Sequence, residues 1–374
     1  MERILIMTMG FGTGHNVAAK ALAQSYGVQA DVATLTIDLL ELTPKTFHPL
    51  LQVGYSQMLS RFPAFYYYLY NRTFHNRFVR YISSEFIEKI GWMIRKKLKR
   101  ILADFQPTQI VSTHPFGFLM LPSRWRYVPT AGVVTDYEVH GMWLAQAPDL
   151  LCIPHQLLSE KERRRLAWQT GSRIIETGIP SEAGFHQKMP SKEARLEVGL
   201  PVDHPFVLVM CGGLGCGPLP HLVEELARLD SPTEVWVLTG KNDKLYEDLS
   251  TRYEGTRVRI FQYRRDVSRL MDAADLLITK PGGLTVTEAM AKGLPMLLFE
   301  AFPGQETTNL NYLLREKVAI AVNEETIWQQ TATLLANHEQ RMRMSEGLMK
   351  LSKPEAASRV VAETLRLRTL DSAL

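Results

Sequence analysis

Cysteine is scarce in this chain: Cys152, Cys211 and Cys216 are the only three in 374 residues. That excludes a disulfide scaffold, and their spacing offers no zinc site. No window reaches the ~18 uninterrupted apolar residues that cross a bilayer. The opening run Met1-Glu2-Arg3-Ile4-Leu5-Ile6 turns glycine-rich at Gly10, too soon for a signal peptide. Neither sign of charge dominates, with 43 Lys+Arg against 39 Asp+Glu and a formal net charge of +4. Bulk charge therefore gives no case for a nucleic-acid partner. A reduced, cytoplasmic setting fits these absences, and attachment to a membrane surface stays open. What the chain does have is 45% apolar and 22% charged residues, the balance of a folded protein. Its length is that of about two domains of ~150 residues.

The run Arg3–Met9 reads as a fully buried strand, followed by a glycine-rich turn and a helix with Ala18, Ala21, Leu22 and Ser25 on one face. Short apolar runs recur at Ile110–Ser112, Ala131–Val134 and Leu150–Ile153. The pattern restarts at Phe206–Met210, again ahead of a glycine cluster, and continues through Val235–Thr239, Arg257–Phe261, Leu276–Thr279, Met296–Phe299 and Ala319–Val322. Strands alternating with helices predict an α/β chain with parallel sheets. Thr177-Gly178-Ile179-Pro180 has the turn chemistry of a switch between halves. The expected domains are 1–178, 179–352 and a C-terminal helical segment 353–374 that crosses back to the first. Ligands of doubly wound sheets bind at the carboxyl ends of the strands, which places the expected active site in a cleft between two such domains.

One segment departs from the even charge balance. Arg72–Arg100 holds nine Lys/Arg against Glu85 and Glu88, a net +7 that leaves the rest of the chain at −3. An aromatic run, Phe62 to Tyr70, precedes it. Phe78, Ile82, Phe86, Ile90, Met93, Ile94 and Ile101 give the segment a helical apolar face. Two readings stand: an interfacial helix on an anionic bilayer, with Phe65, Tyr66, Tyr67, Arg95, Lys96, Lys97 and Lys99 at the lipid, or a packed helix with a solvated basic face.

Three glycine loops follow predicted strands. Gly10-Phe11-Gly12-Thr13-Gly14-His15 has His15 where a dinucleotide fingerprint has its last glycine, and lacks the Lys-Ser/Thr of a P-loop. Its backbone, at Gly12 and Gly14, can approach a ligand closely, and His15 can meet a phosphate, share in proton transfer, or only cap a turn. Cys211–Pro218, with Gly213 inside it, is weaker because strand–helix turns are often glycine-rich, and no Lys, Arg or His lies near enough in sequence to activate its cysteines. The third loop, Thr279 to Ala289, is the most informative. Gly283, Leu284 and Thr285 open a helix whose N–H groups suit an anion. Glu288, one turn in, suits a ribose diol, or is simply a favourable first-turn carboxylate. Downstream, Gln305, Glu306 and Asn309 open another helix with side chains suited to sugar hydroxyls.

Lys280–Pro295 (KPGGLTVTEAMAKGLP) followed by Pro303–Asn309 (PGQETTN) resembles the carboxyl-terminal signature of family 28 glycosyltransferases, in the group of processive diacylglycerol glucosyltransferases and monogalactosyldiacylglycerol synthases. Gly10–His15, the segment Val134–Trp143 and Thr177–Pro180 extend the resemblance over most of the chain. It implies a GT-B fold of two Rossmann-like domains facing across a cleft. It also implies an inverting hexosyltransferase that uses UDP-glucose or UDP-galactose, with diacylglycerol as acceptor, and makes glycolipids as a peripheral protein of the inner membrane face. By position Asp136 matches the general base and His15 its partner or a phosphate ligand. Glu288 would hold the ribose, the Leu284 and Thr285 amides a phosphate, the backbone near Arg264 the uracil edge, and Gln305, Glu306 and Asn309 the sugar. The chain has no Asp-x-Asp metal-diphosphate motif, so no metal or other cofactor is expected. Three other readings share such a fold: a transferase acting on another lipid acceptor, a UDP-sugar 2-epimerase, which would need no basic segment, and a non-catalytic nucleotide-sugar or lipid binder.

Overall fold

The computed structural model describes residues 1–10, 13–44, 77–154, 158–215, 217–299 and 305–371. Gly12, Phe65, Tyr66, Tyr67 and Cys216 lie outside them, as does the side chain of Gln305. The chain divides into two compact units. Among the described residues, the first holds those of Met1–Glu182 and Lys353–Leu374 and the second those of Ala183–Ala301 and Glu306–Ser352.

Unit one carries six parallel strands: β1 (Glu2–Thr8), β2 (Val32–Asp38), β3 (Gln109–Ser112), β4 (Thr130–Val133), β5 (Leu150–Ile153) and β6 (Arg173–Glu176), in the order β2-β1-β3-β4-β5-β6. The inner strands read as continuous apolar runs because helices cover both faces. Alternation along β1 sorts the two layers. Leu5 and Met7 join a core with Ile94, Leu98 and Leu102 of helix Arg77–Phe105 and Leu166 of helix Glu160–Thr170. Ile4 and Ile6 face the other way, onto Ala19 and Leu22 of helix Thr13–Gly27 and Val360 and Val361 of helix Ala356–Asp371. That last helix is pinned by polar contacts too: the Gln109 amide donates to the Thr364 carbonyl at 2.6 Å.

From Arg77 on, the basic segment lies in one long helix, Arg77–Phe105, and in its second half the apolar face is spent on the protein core. Ile94, Leu98 and Leu102 are buried, while Trp92, Lys96, Lys97, Lys99 and Arg100 are exposed and Arg95 is half-buried. The apolar face expected to meet lipid is, from Ile94 on, a packing face; what remains outside is aromatic and basic.

Unit two carries β7 (Phe206–Met210), β8 (Glu234–Leu238), β9 (Val258–Phe261), β10 (Leu276–Thr279), β11 (Met296–Leu298) and β12 (Ala319–Ala321), also parallel throughout, in the order β12-β11-β10-β7-β8-β9. This is the order of a dinucleotide-binding sheet, with its switch point between β7 and β10. Its core is built from Val207, Val209, Val235, Val237, Leu276, Ile278 and the helices flanking them. Among the described residues no helix is long and apolar enough to cross a membrane.

Candidate functional site

In unit one, β1 and β3 are neighbours although β2 lies between them in sequence, so the switch point brings together residues about a hundred positions apart. The loop after β1 is fixed by Asp38 at the end of β2, whose carboxylate accepts from the Gly10 N–H at 3.1 Å and from the Asn16 amide at 3.0 Å. A Cβ on Gly10 would fall 2.6 Å from Asp38 Oδ2, so glycine is what allows the backbone this close. The loop delivers His15, the third residue of helix Thr13–Gly27. His15 Nδ1 lies 2.9 Å from the Thr113 carbonyl and 2.9 Å from Thr135 Oγ1. A carbonyl can only accept, so Nδ1 carries the proton and the lone pair is on Nε2. Burial lowers the pKa of His15 below the usual histidine value, against the opposing pull of Asp136, the Thr113 carbonyl and Asp38. The ring is a neutral base at pH 7.

Two more histidines complete this cluster: His140, which the sequence offers only as part of the segment Val134–Trp143, and His114, which nothing in the sequence marks. His114, just past β3, meets the His15 ring edge-on with centroids 4.7 Å apart, and its Nδ1 accepts the Phe116 N–H at 3.3 Å. His140 accepts the Met142 N–H at 3.3 Å and caps a short turn, Gly141–Leu144. Both are held neutral by burial. His114 is pushed well below the ordinary value, with His15 and His140 adding to the effect, and His140 is lowered to about 4. Asp136 stands three residues past β4, half-buried, and close enough to act on the charge of His15. The structure therefore brings His15 and Asp136 together and adds His114, Thr113 and Thr135.

These lowered values carry a sign for stability. Unfolded histidines titrate near 6.5, so below that pH the unfolded chain binds more protons than the folded one. Stability falls as pH drops from about 6.5 toward the His140 value of about 4. In thermal melts, His140→Asn, which keeps a capping side chain, is expected to lose less Tm between pH 7 and pH 5 than the parent. Identical declines would contradict this account.

In unit two, three loops meet at the switch point. The loop after β7 is tied to the loop after β8: Lys241 N–H donates to the Gly213 carbonyl at 3.0 Å and the Asn242 amide to the Gly215 carbonyl at 3.0 Å. At Gly215, φ is +62° and a Cβ would sit 1.9 Å from the Thr239 carbonyl oxygen, so only glycine fits. After β10, helix Gly283–Lys292 starts with Gly282 as its cap and no capping side chain. Its first internal bond runs from Val286 N–H to the Gly282 carbonyl. The N–H groups of Gly283, Leu284 and Thr285 precede that bond and are directed out of the helix start, as an anion site requires. Glu288 is buried in the same helix. Asn309 is fully buried and donates to the Pro281 carbonyl at 2.8 Å, holding helix Gln305–Arg315 against this loop.

Glu306 forms an ion pair with Lys280 at 2.6 Å, both largely shielded from water. Lys280 also runs past the glycine loop, its Cε 3.3 Å from where a Gly212 Cβ would be. A cation at the switch point, between two glycine loops and a helix start, was spelled out in the motif but had no role assigned from sequence. Arg264 follows β9, lies over the Phe261 ring at 4.9 Å and pairs with Asp266. The loops of Gly213 and Lys280, the start of helix Gly283–Lys292, Arg264 and helix Gln305–Arg315 thus all sit at the carboxyl ends of strands in one sheet.

Two doubly wound parallel units, one with an open helix start at its switch point and the other with a neutral histidine beside a carboxylate, are those of a GT-B glycosyltransferase. The family model "Monogalactosyldiacylglycerol (MGDG) synthase" matches residues 15–180, and "Glycosyltransferase family 28 C-terminal domain" matches residues 206–360. The chain is a glycosyltransferase, and the two matches together span most of it. A processive diacylglycerol beta-glucosyltransferase of Bacillus subtilis (strain 168) is 28% identical over 377 residues, covering 98% of this chain and 95% of that protein. One from Bacillus cytotoxicus is 25% identical, covering 96% and 92%. Among solved structures, Acinetobacter baumannii MurG has a TM-score of 0.61 at 16% identity, over 98% of this chain and 100% of that one. A UDP-N-acetylglucosamine 2-epimerase has a TM-score of 0.63 at 14% identity, over 99% and 97%. Likenesses this distant in sequence establish the fold, which transferases and epimerases share.

Proposed function

We propose that this glycosyltransferase moves a hexose from a UDP-sugar to diacylglycerol, with inversion, at the cytoplasmic face of the membrane. The observation that carries the acceptor is the near full-length relationship to the Bacillus subtilis diacylglycerol glucosyltransferase. The epimerase structure is related at 14% identity, by fold alone, and the exposed basic side of helix Arg77–Phe105 fits a lipid acceptor better than a soluble one.

In this reading unit two holds the donor. The N–H groups of Leu284 and Thr285 take a phosphate, Glu288 the ribose diol, the backbone near Arg264 the uracil edge, and Gln305, Glu306 and Asn309 the sugar. Stabilising the departing UDP falls to a helix N-terminus aimed at developing negative charge, which requires no metal. In unit one, His15 Nε2 takes the proton of the acceptor hydroxyl. The Thr113 carbonyl fixes the tautomer, and Asp136 favours the imidazolium that results. The resemblance favours Asp136 as the base and leaves His15 open as the other choice; the proton on His15 Nδ1 is our reason for placing the role on His15.

Glu288→Ala is expected to weaken UDP binding by ~1.5–3 kcal/mol, the worth of hydrogen bonds to a charged group. Calorimetry with UDP checks it, and an unchanged affinity would remove Glu288 from the ribose. The function itself is tested by UDP release from UDP-glucose and from UDP-galactose, with and without diacylglycerol vesicles. Release that depends on the lipid supports the reading; sugar interconversion without lipid would replace it with the epimerase.

A further inference from the structure

Helix Glu160–Thr170 exposes Trp168 to 85% of its surface. Lys161, Arg164 and Arg165, at the i−7, i−4 and i−3 positions, share that face and are exposed as well. The one buried residue of the helix, Leu166, points away into the core. An indole with an apolar body and a polar N–H, with cations before it on the same helix face, suits the headgroup level of a bilayer rather than water.

Its location adds a second observation. Leu166 belongs to the same core layer as Ile94, Leu98 and Leu102 of helix Arg77–Phe105. Both helices therefore cover the same side of the unit-one sheet, opposite helices Thr13–Gly27 and Ala356–Asp371. On its outer side helix Arg77–Phe105 exposes Tyr81 at 61% and Trp92 at 72%. Trp92 shares a helical face with Lys96 and Lys99 at i+4 and i+7. One side of unit one thus presents exposed aromatics and cations on two separate helices.

We propose that the Lys161–Trp168 face is a membrane-contact surface for anionic lipid, acting together with the outer face of helix Arg77–Phe105. The proposal rests on the lipid-acceptor reading and extends it by naming a second anchor. Charge complementarity selects the partner: Glu160 and Glu162 lie at the start of the helix, with Glu160 paired to Arg164, and the turn before Trp168 on its own face carries Arg164 and Arg165 and no acid. A few cations on one helix bind an anionic surface weakly. Two patches carried by one packed unit bind as a bivalent ligand, the second attaching at high effective concentration.

The full-length chain is sedimented with vesicles of phosphatidylcholine alone and mixed with phosphatidylglycerol. The parent is compared with Trp168→Ala and with the triple variant Lys161→Gln, Arg164→Gln, Arg165→Gln. All these residues are exposed, and thermal melts confirm folding. On the mixed vesicles the triple variant should bind at least ~10-fold more weakly than the parent, with the difference shrinking at high salt. Trp168→Ala should also bind more weakly. Both variants should retain transfer to detergent-dispersed diacylglycerol. If both sediment with anionic vesicles as the parent does, the surface is not a lipid contact, whether it is merely solvated or meets a protein. If the parent itself transfers to no lipid acceptor, the lipid-acceptor reading fails, and the vesicle comparison still decides this surface on its own.

Discussion

His15→Ala is expected to lower turnover by ~10²–10⁴-fold, the usual contribution of a positioned general base, while UDP binding persists. The base must be unprotonated at working pH and present a lone pair to the acceptor hydroxyl. His15 meets both needs: burial keeps the ring neutral, and Nδ1–H donates to the Thr113 carbonyl at 2.9 Å, which puts the lone pair on Nε2. Asp136 acts on the charge of His15, so Asp136→Asn should also slow transfer, but by less. Single-turnover rates with saturating donor separate the two. If Asp136→Asn abolishes turnover while His15→Ala retains most of it, the proton goes to Asp136 and the roles are exchanged.

The largest effect on stability is expected from Asp272→Ala. Lys292, at the end of helix Gly283–Lys292, and Asp272, in helix Val267–Ala273, form an ion pair at 2.7 Å with both side chains completely shielded from water. The ammonium also donates to the Gly184 and Gln187 carbonyls, at 3.1 and 2.8 Å. Burial pulls the Lys292 pKa down, and Asp272 opposes that pull. Removing the carboxylate leaves a buried charge without its counter-ion, a loss of about 3–5 kcal/mol. At ~2–4 °C per kcal/mol for a unit of this size, the melt of unit two should move by roughly 10 °C. The double variant Asp272→Leu, Lys292→Met should recover much of the loss, because apolar replacement of a buried pair is often neutral. A parent-like melt for Asp272→Ala would show that the pair contributes nothing.

The inner strands were legible because burial on both faces leaves continuous apolar runs such as Phe206–Met210 and Leu276–Thr279. β2 and β6 were not, and both are sheet edges. β2 alternates threonine with apolar residues, and β6 has Arg173 and Glu176 at its ends, so neither shows the buried-strand pattern. The glycine loops were legible from composition. His114 was not, because no glycine marks it and its meeting with His15 depends on β3 pairing with β1 across the sequence of β2. The apolar face of the basic helix was read correctly as helical, but sequence could not say whether protein or lipid covers it; the core claims Ile94, Leu98 and Leu102.

Mass spectrometry of the lipid products tests the central claim most directly. The protein is incubated with diacylglycerol and either UDP-glucose or UDP-galactose, without added metal and with chelator present. The account predicts a diacylglycerol heavier by one or more hexose residues with at least one donor, absent when His15→Ala replaces the parent. A parent that releases UDP or interconverts the sugar nucleotide while diacylglycerol stays unmodified would contradict it.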